Sequence, residues 1–241
     1  MPASERDPRL DRLFALTDGV YAIALTLLAI ELVLPAASER LHGEELLRSI
    51  LDTWPKVLGF LTSFTVIALF WHGNHQAFHY LRRFDGPLDW LSLLHLLCIA
   101  FVPFPTAIVG EHVSDPVAQV FYFGAILVTG LATMALWWYA SSGHRLVDPE
   151  LHPGVIRRFH MTLLVGPVAG SIALMALIGV GIGRLINPLL LGYLFLVGFI
   201  LLGVLEGWEP RLQERRVRGA PEDGASAQER PEGSDPARTD G

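Results

Sequence analysis

The 241-residue chain is 51% hydrophobic and only 17% charged, and its mean hydropathy is +0.42. The apolar residues occur in long blocks, and a helix of about 20 apolar residues crosses a hydrocarbon core of about 30 Å. Short alternating strands are not visible, so the composition predicts an all-α polytopic membrane protein rather than a soluble domain. The formal charge of −6 lies mostly in loops and tail, so no nucleic-acid partner is expected.

Hydropathy divides the chain into three parts. Residues 1–12 form a polar N-terminus, residues 13–206 a transmembrane domain, and residues 207–241 a tail. Six spans are predicted within the domain, at about 13–35, 54–80, 88–110, 116–140, 157–183 and 187–206. The charged segment Glu39 to Leu51 predicts a short interfacial helix instead of a span. From Gly219 onward Gly, Pro, Ser, Glu and Asp dominate, which predicts a largely disordered tail.

The distribution of basic residues predicts the orientation of the spans. The N-terminus, the 81–87 loop, the 141–158 loop and the tail together hold 14 of the 18 Lys and Arg residues. Cytoplasmic segments carry the excess of such residues, so both termini are predicted to be cytoplasmic in a multi-pass plasma-membrane protein. Five tryptophans fall at predicted span ends, where an aromatic belt is expected; they are Trp54, Trp90, Trp137, Trp138 and Trp208.

Polar residues from three predicted spans share one depth in the cytoplasmic third of the membrane. A charge there costs about 2.5–3.5 kcal/mol on insertion scales, so these groups are expected to face protein and satisfy one another. They are Arg12 and Asp18 on the first span, His72, Asn74 and His75 on the second, and His95 on the third. Three interpretations stay open, namely a structural network, a proton- or pH-sensing relay, and a metal site. No recognised zinc spacing supports the last of these, and no cofactor is expected.

An apolar stripe runs along the first span. Ile23, Leu27 and Ile30 recur at i, i+4 and i+7, which places them on one helical face bordered by Thr26. Such a stripe commonly serves packing or lipid contact. Copies of it around a symmetry axis would instead form apolar rings, and such constrictions gate ions by dewetting. The chain has no carbonyl filter of the Thr-Val-Gly-Tyr-Gly kind.

Three ordered motifs resemble a known family. The stretch from Arg12 through Asp18 to Leu28 is similar to the Arg-x-x-x-Phe-Ser-Asp-Gly-Val signature of the prokaryotic relatives of the lysosomal potassium channel, transmembrane protein 175. The run Phe70 to Phe78, which begins Phe-Trp-His-Gly-Asn-His, resembles the family's second-span motif. Pro103 to Ala107 resembles the end of its third span. The resemblance covers roughly residues 9–206.

The resemblance implies a homotetrameric potassium channel whose first helices line a central pore. Its constrictions would fall on Ile23, Thr26, Leu27 and Ile30. A structural polar network would hold the pore helix; its members would be Arg12, Thr17, Asp18, Trp71, His72, Asn74 and His75. The family's Phe-Ser is Leu16-Thr17 here, which keeps the hydroxyl but removes the aromatic ring. Potassium ions would be the permeating species, and no bound metal is implied.

Four alternatives accompany the potassium-channel hypothesis. A proton channel or a secondary ion transporter would use the Asp and His residues of the polar layer. The absence of an internal repeat of the spans argues against the transporter. No Ser/His/Asp, paired-carboxylate or zinc signature stands out, so the chain is not expected to be an enzyme. A purely structural membrane protein would show no conductance after purification.

Overall fold

The computed structural model describes residues 7–30, 32, 41–149, 151–179 and 197–198. All of them belong to one compact unit of the chain, Met1–Gly203. The predicted tail at 207–241 lies outside the described residues. So does the predicted sixth span at 187–206, apart from residues 197 and 198.

Within this described part the chain is helical, with no strand and one isolated bridge between Leu81 and Val147. The helices are α1 (Pro8–Ile30), α2 (Glu44–Asp52), α3 (Trp54–His79), α4 (Gly86–Phe101), α5 (Pro103–Glu111), α6 (Pro116–Ser141), α7 (Pro153–Leu163) and α8 (Gly170–Gly179). A 3₁₀ turn follows α6 at Ser142–His144, and a π-helical segment, Leu164–Ala169, joins α7 to α8.

Among the described residues, five segments are long and apolar enough to cross a membrane, namely Pro8–Ile30, Trp54–His79, Gly86–Glu111, Pro116–His144 and Pro153–Gly179. They coincide with the first five predicted spans, so the all-α membrane fold is confirmed. The first helix begins five residues before its predicted start. The reason is local: the Asp7 carboxylate accepts a 2.9 Å hydrogen bond from the backbone N–H of Arg9, and Pro8 suits the first helical turn.

Aspartate and proline residues set the other helix ends. Asp85 caps α4 by accepting from the N–H of Leu88 at 3.0 Å, and Asp115 caps α6 by accepting from that of Val117 at 2.7 Å. The third span is divided at Val102, because the prolines that open α5 lack the N–H that a continuous helix needs. These ends fix where α1, α3, α4 and α6 face one another.

The core consists of two apolar clusters separated by buried polar side chains. One cluster surrounds Ile67, Ile99 and Ile126, and the other surrounds Leu10, Leu88 and Trp137. On each helix the polar residue falls between the members of the two clusters; these residues are Thr17 on α1, Asn74 on α3, Ser92 and His95 on α4, and Thr129 and Thr133 on α6. Of the residues predicted to form the polar layer, Asn74 and His95 belong to this buried set, whereas Arg12, Asp18, His72 and His75 are exposed.

Two peripheral predictions differ in outcome. The predicted interfacial helix is present as α2, which buries none of its residues and leaves Leu47, Ile50 and Leu51 exposed. The aromatic-belt prediction is wrong for Trp137. Its side chain is 1% exposed, packs against Phe159 at 4.8 Å between ring centroids, and donates its N–H to the carbonyl of Ile156 at 3.4 Å.

Candidate pore-lining helix and its polar support

One face of α1 is exposed along the length of the helix. Ile23, Leu27 and Ile30 are 60%, 40% and 65% exposed, whereas the opposite face, from Leu10 to Leu28, is buried. The buried face packs against α3, α4 and α5. A single copy of the chain thus covers only one side of its first span.

The exposed face of α1 also carries residues that lipid contact does not explain. At about 100° per residue, Arg12, Gly19 and Ile30 lie within about 20° of one line along the helix. Arg12 is exposed, and a Cβ added at Gly19 would meet nothing within 4 Å. Ala15 and Gly19, four residues apart, leave room for close approach of another helix. The Thr26 hydroxyl on this face donates to the Ile23 carbonyl at 2.8 Å.

Asp18 is tied to α3. Its Oδ1 accepts a 2.8 Å hydrogen bond from Trp71 Nε1, and the Trp71 ring stacks on His75 with 5.4 Å between centroids and an interplanar angle of 29°. Both side chains are exposed, so this hydrogen bond contributes about 0.5–1.5 kcal/mol. Three residues of the predicted polar network are therefore in direct contact across the α1–α3 interface.

A cavity of about 110 Å³ adjoins this contact. Its polar lining comes from Thr17, Asp18, His75 and His79, and its apolar lining includes Phe14 and Phe78. The lining side chains come from α1 and α3 alone. The space is large enough to hold water.

The other predicted network members are not linked to Asp18 by hydrogen bonds within the described residues. Thr17 and Asn74 are buried, and neither Thr17 Oγ1 nor Asn74 Nδ2 has a hydrogen-bond partner there. His72 is exposed and its Nε2 lies 2.6 Å from Nε2 of Gln76. Arg12 stands on the exposed face of α1.

His95 does not contact the Asp18 group with which the sequence analysis placed it. Its Nε2 lies 2.7 Å from the hydroxyl of Tyr21, and its Nδ1 lies 3.0 Å from the hydroxyl of Thr133. The imidazole thus joins α1, α4 and α6. Sequence reasoning missed Tyr21 and Thr133. The available signal was that Tyr21 stands one turn after Thr17 on the face opposite the apolar stripe.

A second buried polar contact ties α3, α5 and α6. The Ser63 hydroxyl lies 3.0 Å from the hydroxyls of both Tyr122 and Thr106, and Thr106 also donates to the carbonyl of Val102 at 2.9 Å. This carbonyl lies at the break between α4 and α5, where the helical hydrogen bonding is interrupted by proline. The contact holds the divided third span against its neighbours.

The end of the bundle that carries the loops after α3 and α6 is held by charged groups. Arg82 contacts Asp148 at 3.2 Å, and Asp85 accepts from the Tyr139 hydroxyl at 2.6 Å while contacting Arg145 at 3.4 Å. Outside the spans, hydrogen bonding from Arg9 lowers the pKa of the Asp7 carboxyl. No group of three His, Cys, Asp or Glu side chains in the described ranges is placed to hold a metal ion.

The fold and the site define a multi-span helical membrane protein whose first helix is covered on one side only. A family model described as the endosomal/lysosomal potassium channel TMEM175 matches residues 12–103. A potassium channel of Streptomyces collinus is 33% identical over 159 residues, which are 64% of this chain and 76% of that protein. A potassium channel of Chamaesiphon minutus is 37% identical over 139 residues, covering 56% and 68% of the two chains.

The chain belongs to the TMEM175 channel family. Its structure matches the crystal structure of a Chamaesiphon minutus homologue of the lysosomal potassium-selective channel TMEM175, with a TM-score of 0.67 and 27% identity. The match covers 81% of this chain and 98% of the other. A more distant relative from Bos taurus, an endosomal/lysosomal proton channel, is 34% identical over 99 residues, only 20% of its length.

Proposed function

We propose that this protein is a potassium-permeable cation channel of the plasma membrane. In this proposal four copies surround one axis, α1 of each copy lines the pore, and both termini are cytoplasmic. The continuous exposed face of α1 carries the proposal. The potassium-channel names of the bacterial relatives support the choice of ion.

A pore is a better explanation of this face than lipid. Lipid tolerates the apolar residues Ile23, Leu27 and Ile30, and Arg12 at the start of the helix reaches water in either arrangement, so the small residues on this face favour the pore. Identical subunits close into rings by cyclic symmetry, and one copy of α1 cannot enclose a path. Gly19 lies on the exposed line and Ala15 about 60° to one side of it, where a neighbouring helix would approach closely.

The narrowest rings are proposed at Ile23 and Leu27, helped by Ile30 and bordered by Thr26. Ile23 and Ile30 are separated by about 10 Å along the helix at 1.5 Å per residue. Stacked apolar rings of this depth exclude water, so an ion must lose part of its hydration shell to cross. Potassium releases water more readily than sodium, which favours potassium without carbonyl ligands.

The network of Arg12, Thr17, Asp18, Trp71, His72, Asn74 and His75 is proposed to hold α1 in place rather than to conduct. The Asp18–Trp71 hydrogen bond supports this role because it fastens α1 to α3 on the side away from Ile30. Asp18 lies about 120° around the helix from Ile30. In this position the carboxylate supports the pore wall without being part of it.

Electrical recording of the purified protein tests the proposal. The chain is reconstituted into planar bilayers with potassium on one side and sodium on the other, and the reversal potential is measured. Unitary currents with a reversal potential that favours potassium are expected, as is a native mass of four chains. A monomeric mass, or saturable coupled flux without unitary currents, would contradict the proposal.

A proton channel is the second candidate. It is favoured by the cavity lined by Asp18, His75 and His79, and by the proton-channel name of the Bos taurus relative. Vesicles that contain a pH-sensitive dye distinguish the two ions. The vesicles are given a potassium gradient. A potassium channel changes the luminal pH only when a proton ionophore lets protons move in exchange for potassium, whereas a proton channel changes it only when a potassium ionophore carries the compensating potassium.

A further inference from the structure

His95 makes the one contact in which a buried imidazole joins three of the described helices. Tyr21 and His95 are each 1% exposed, and Thr133 is 5% exposed, so water does not compete for these groups. The donor and acceptor of each hydrogen bond can be assigned. The Thr133 hydroxyl has one proton, which it donates to the carbonyl of Thr129 at 2.8 Å.

The assignment fixes the tautomer of His95. Because the proton of Thr133 is engaged, its oxygen accepts from His95, so Nδ1 carries the imidazole proton. Nε2 is then an acceptor, and the Tyr21 hydroxyl donates to it at 2.7 Å. Every polar atom of the three side chains is hydrogen-bonded, and each bond donates in the same direction, from α1 through α4 to α6. Buried networks that are satisfied in this way hold one arrangement of their helices.

The Tyr21–His95 contact lies on the side of α1 opposite its exposed face. Tyr21 and Ile30 are nine residues apart, which is about 180° around the helix, and Tyr21 and Ile23 differ by about 200°. A helix with a radius of about 6 Å that turns by 20° moves its outermost side-chain atoms by about 2 Å. Fixing Tyr21 therefore fixes the direction in which Ile23 and Ile30 point.

We propose that His95 is a positioning residue for the pore: in its neutral form protonated on Nδ1, it sets the rotation of α1 through Tyr21 and thereby the width of the apolar rings. This proposal rests on the pore-lining role of α1 proposed above. His95 itself touches no permeating ion. Its effect on ion preference is transmitted through the hydroxyl of Tyr21.

Two tyrosine variants separate positioning from general stability. Tyr21→Phe removes the hydroxyl that His95 accepts from, while Tyr122→Phe removes a buried hydroxyl that binds Ser63 and does not involve α1. Both variants are expected to lower the thermal stability of the purified channel. Only Tyr21→Phe is expected to lower the potassium-over-sodium permeability ratio, roughly twofold or more. Equal ratios in the two variants would overturn the proposal.

A double variant excludes a role limited to satisfying buried polar groups. Tyr21→Phe with His95→Leu removes the orphaned imidazole together with the hydroxyl, so it should regain part of the stability that Tyr21→Phe loses. The permeability ratio is expected to stay lowered, because the contact that sets the rotation of α1 is still missing. A ratio restored to that of wild type would overturn the proposal. Ser92→Ala, one turn away on α4 at a buried hydroxyl without a partner among the described residues, serves as the matched control with an unchanged ratio.

Nitrogen NMR tests the tautomer of His95, and variants of His95 replace Tyr21→Phe if that variant does not fold. Nitrogen NMR of histidine-labelled protein, with His95 assigned by comparison with His95→Gln, should show a protonated Nδ1 and an unprotonated Nε2. The opposite tautomer would overturn the assignment. If Tyr21→Phe yields no protein, His95→Gln makes the same comparison, since its amide keeps one acceptor and one donor and should lower the ratio less than His95→Leu. Wild-type protein that passes no potassium would instead refute the proposed function.

Discussion

Replacing Ile23 by asparagine tests the apolar constriction directly. Ile23 is 60% exposed in the single chain and belongs to the exposed face of α1, so in a four-fold assembly its four side chains surround the axis. Ile23→Asn puts amides at these four positions. Water then remains in the ring, and ions cross it with more of their hydration shells.

The size of the effect follows from the apolar area that is lost. We take each substitution to remove apolar surface equivalent to one methylene from the ring. At about 0.8 kcal/mol per methylene, four substitutions lower the free-energy barrier to ion passage by about 3 kcal/mol. Since about 1.4 kcal/mol corresponds to a factor of ten, the upper limit on the rise in current is roughly 100-fold. The preference for potassium over sodium should shrink at the same time, because both ions cross hydrated.

Planar bilayers with potassium and sodium on opposite sides measure both quantities. Ile23→Val is the matched control, since it removes one methyl group but keeps an apolar ring, and it should retain the reversal potential of wild type. Thr26→Val tests the alternative in which hydroxyl oxygens select the ion; the Thr26 proton is already donated to the Ile23 carbonyl. If Thr26→Val abolishes the preference and Ile23→Asn leaves current and preference unchanged, selection by an apolar ring is refuted.

Two further variants test the support of the pore helix and the packing behind it. Trp71→Phe keeps an aromatic ring beside His75 but removes the donor to Asp18; because both side chains are exposed, thermal unfolding should show a loss of about 0.5–1.5 kcal/mol, with the reversal potential unchanged. A shift in ion preference at unchanged stability would contradict the supporting role. Gly130→Ala places a Cβ 2.9 Å from Cβ of Pro167 and should cost about 1–3 kcal/mol in the same unfolding measurement, whereas Gly124→Ala, with nothing within 4 Å, should not; equal stabilities would refute this packing.

The number and order of the described spans could be predicted because each follows from local chemistry. Runs of apolar residues define the helices, and Asp85 and Asp115 define two of their starts. The burial of Trp137 could not be predicted in this way. Its place near a span end is typical of an aromatic belt, but the chain after α6 returns and covers the ring with Phe159. Burial of this kind depends on contacts between segments that are distant in sequence.

The order of polar residues along each helix is read directly from the sequence, but their partners are not. Asp18 contacts α3 through Trp71, whereas His95 contacts α1 and α6 through hydroxyl groups. Depth follows from position along the helix, and the sequence contains that information directly. Partners follow from the rotation of each helix about its axis, which only the packing of the bundle sets.

The two ties on α1 act differently on the helix. Asp18 and Tyr21 are three residues apart, so they lie about 300° apart around the helix, which brings them within about 60° of each other on the supported side. One is held by α3 and the other by α4. The buried Tyr21 contact sets the rotation of α1. The Asp18 contact adds stability to the α1–α3 interface, so its loss lowers stability without turning the helix. The exposed line from Arg12 to Ile30 is therefore the side of α1 that both contacts leave uncovered.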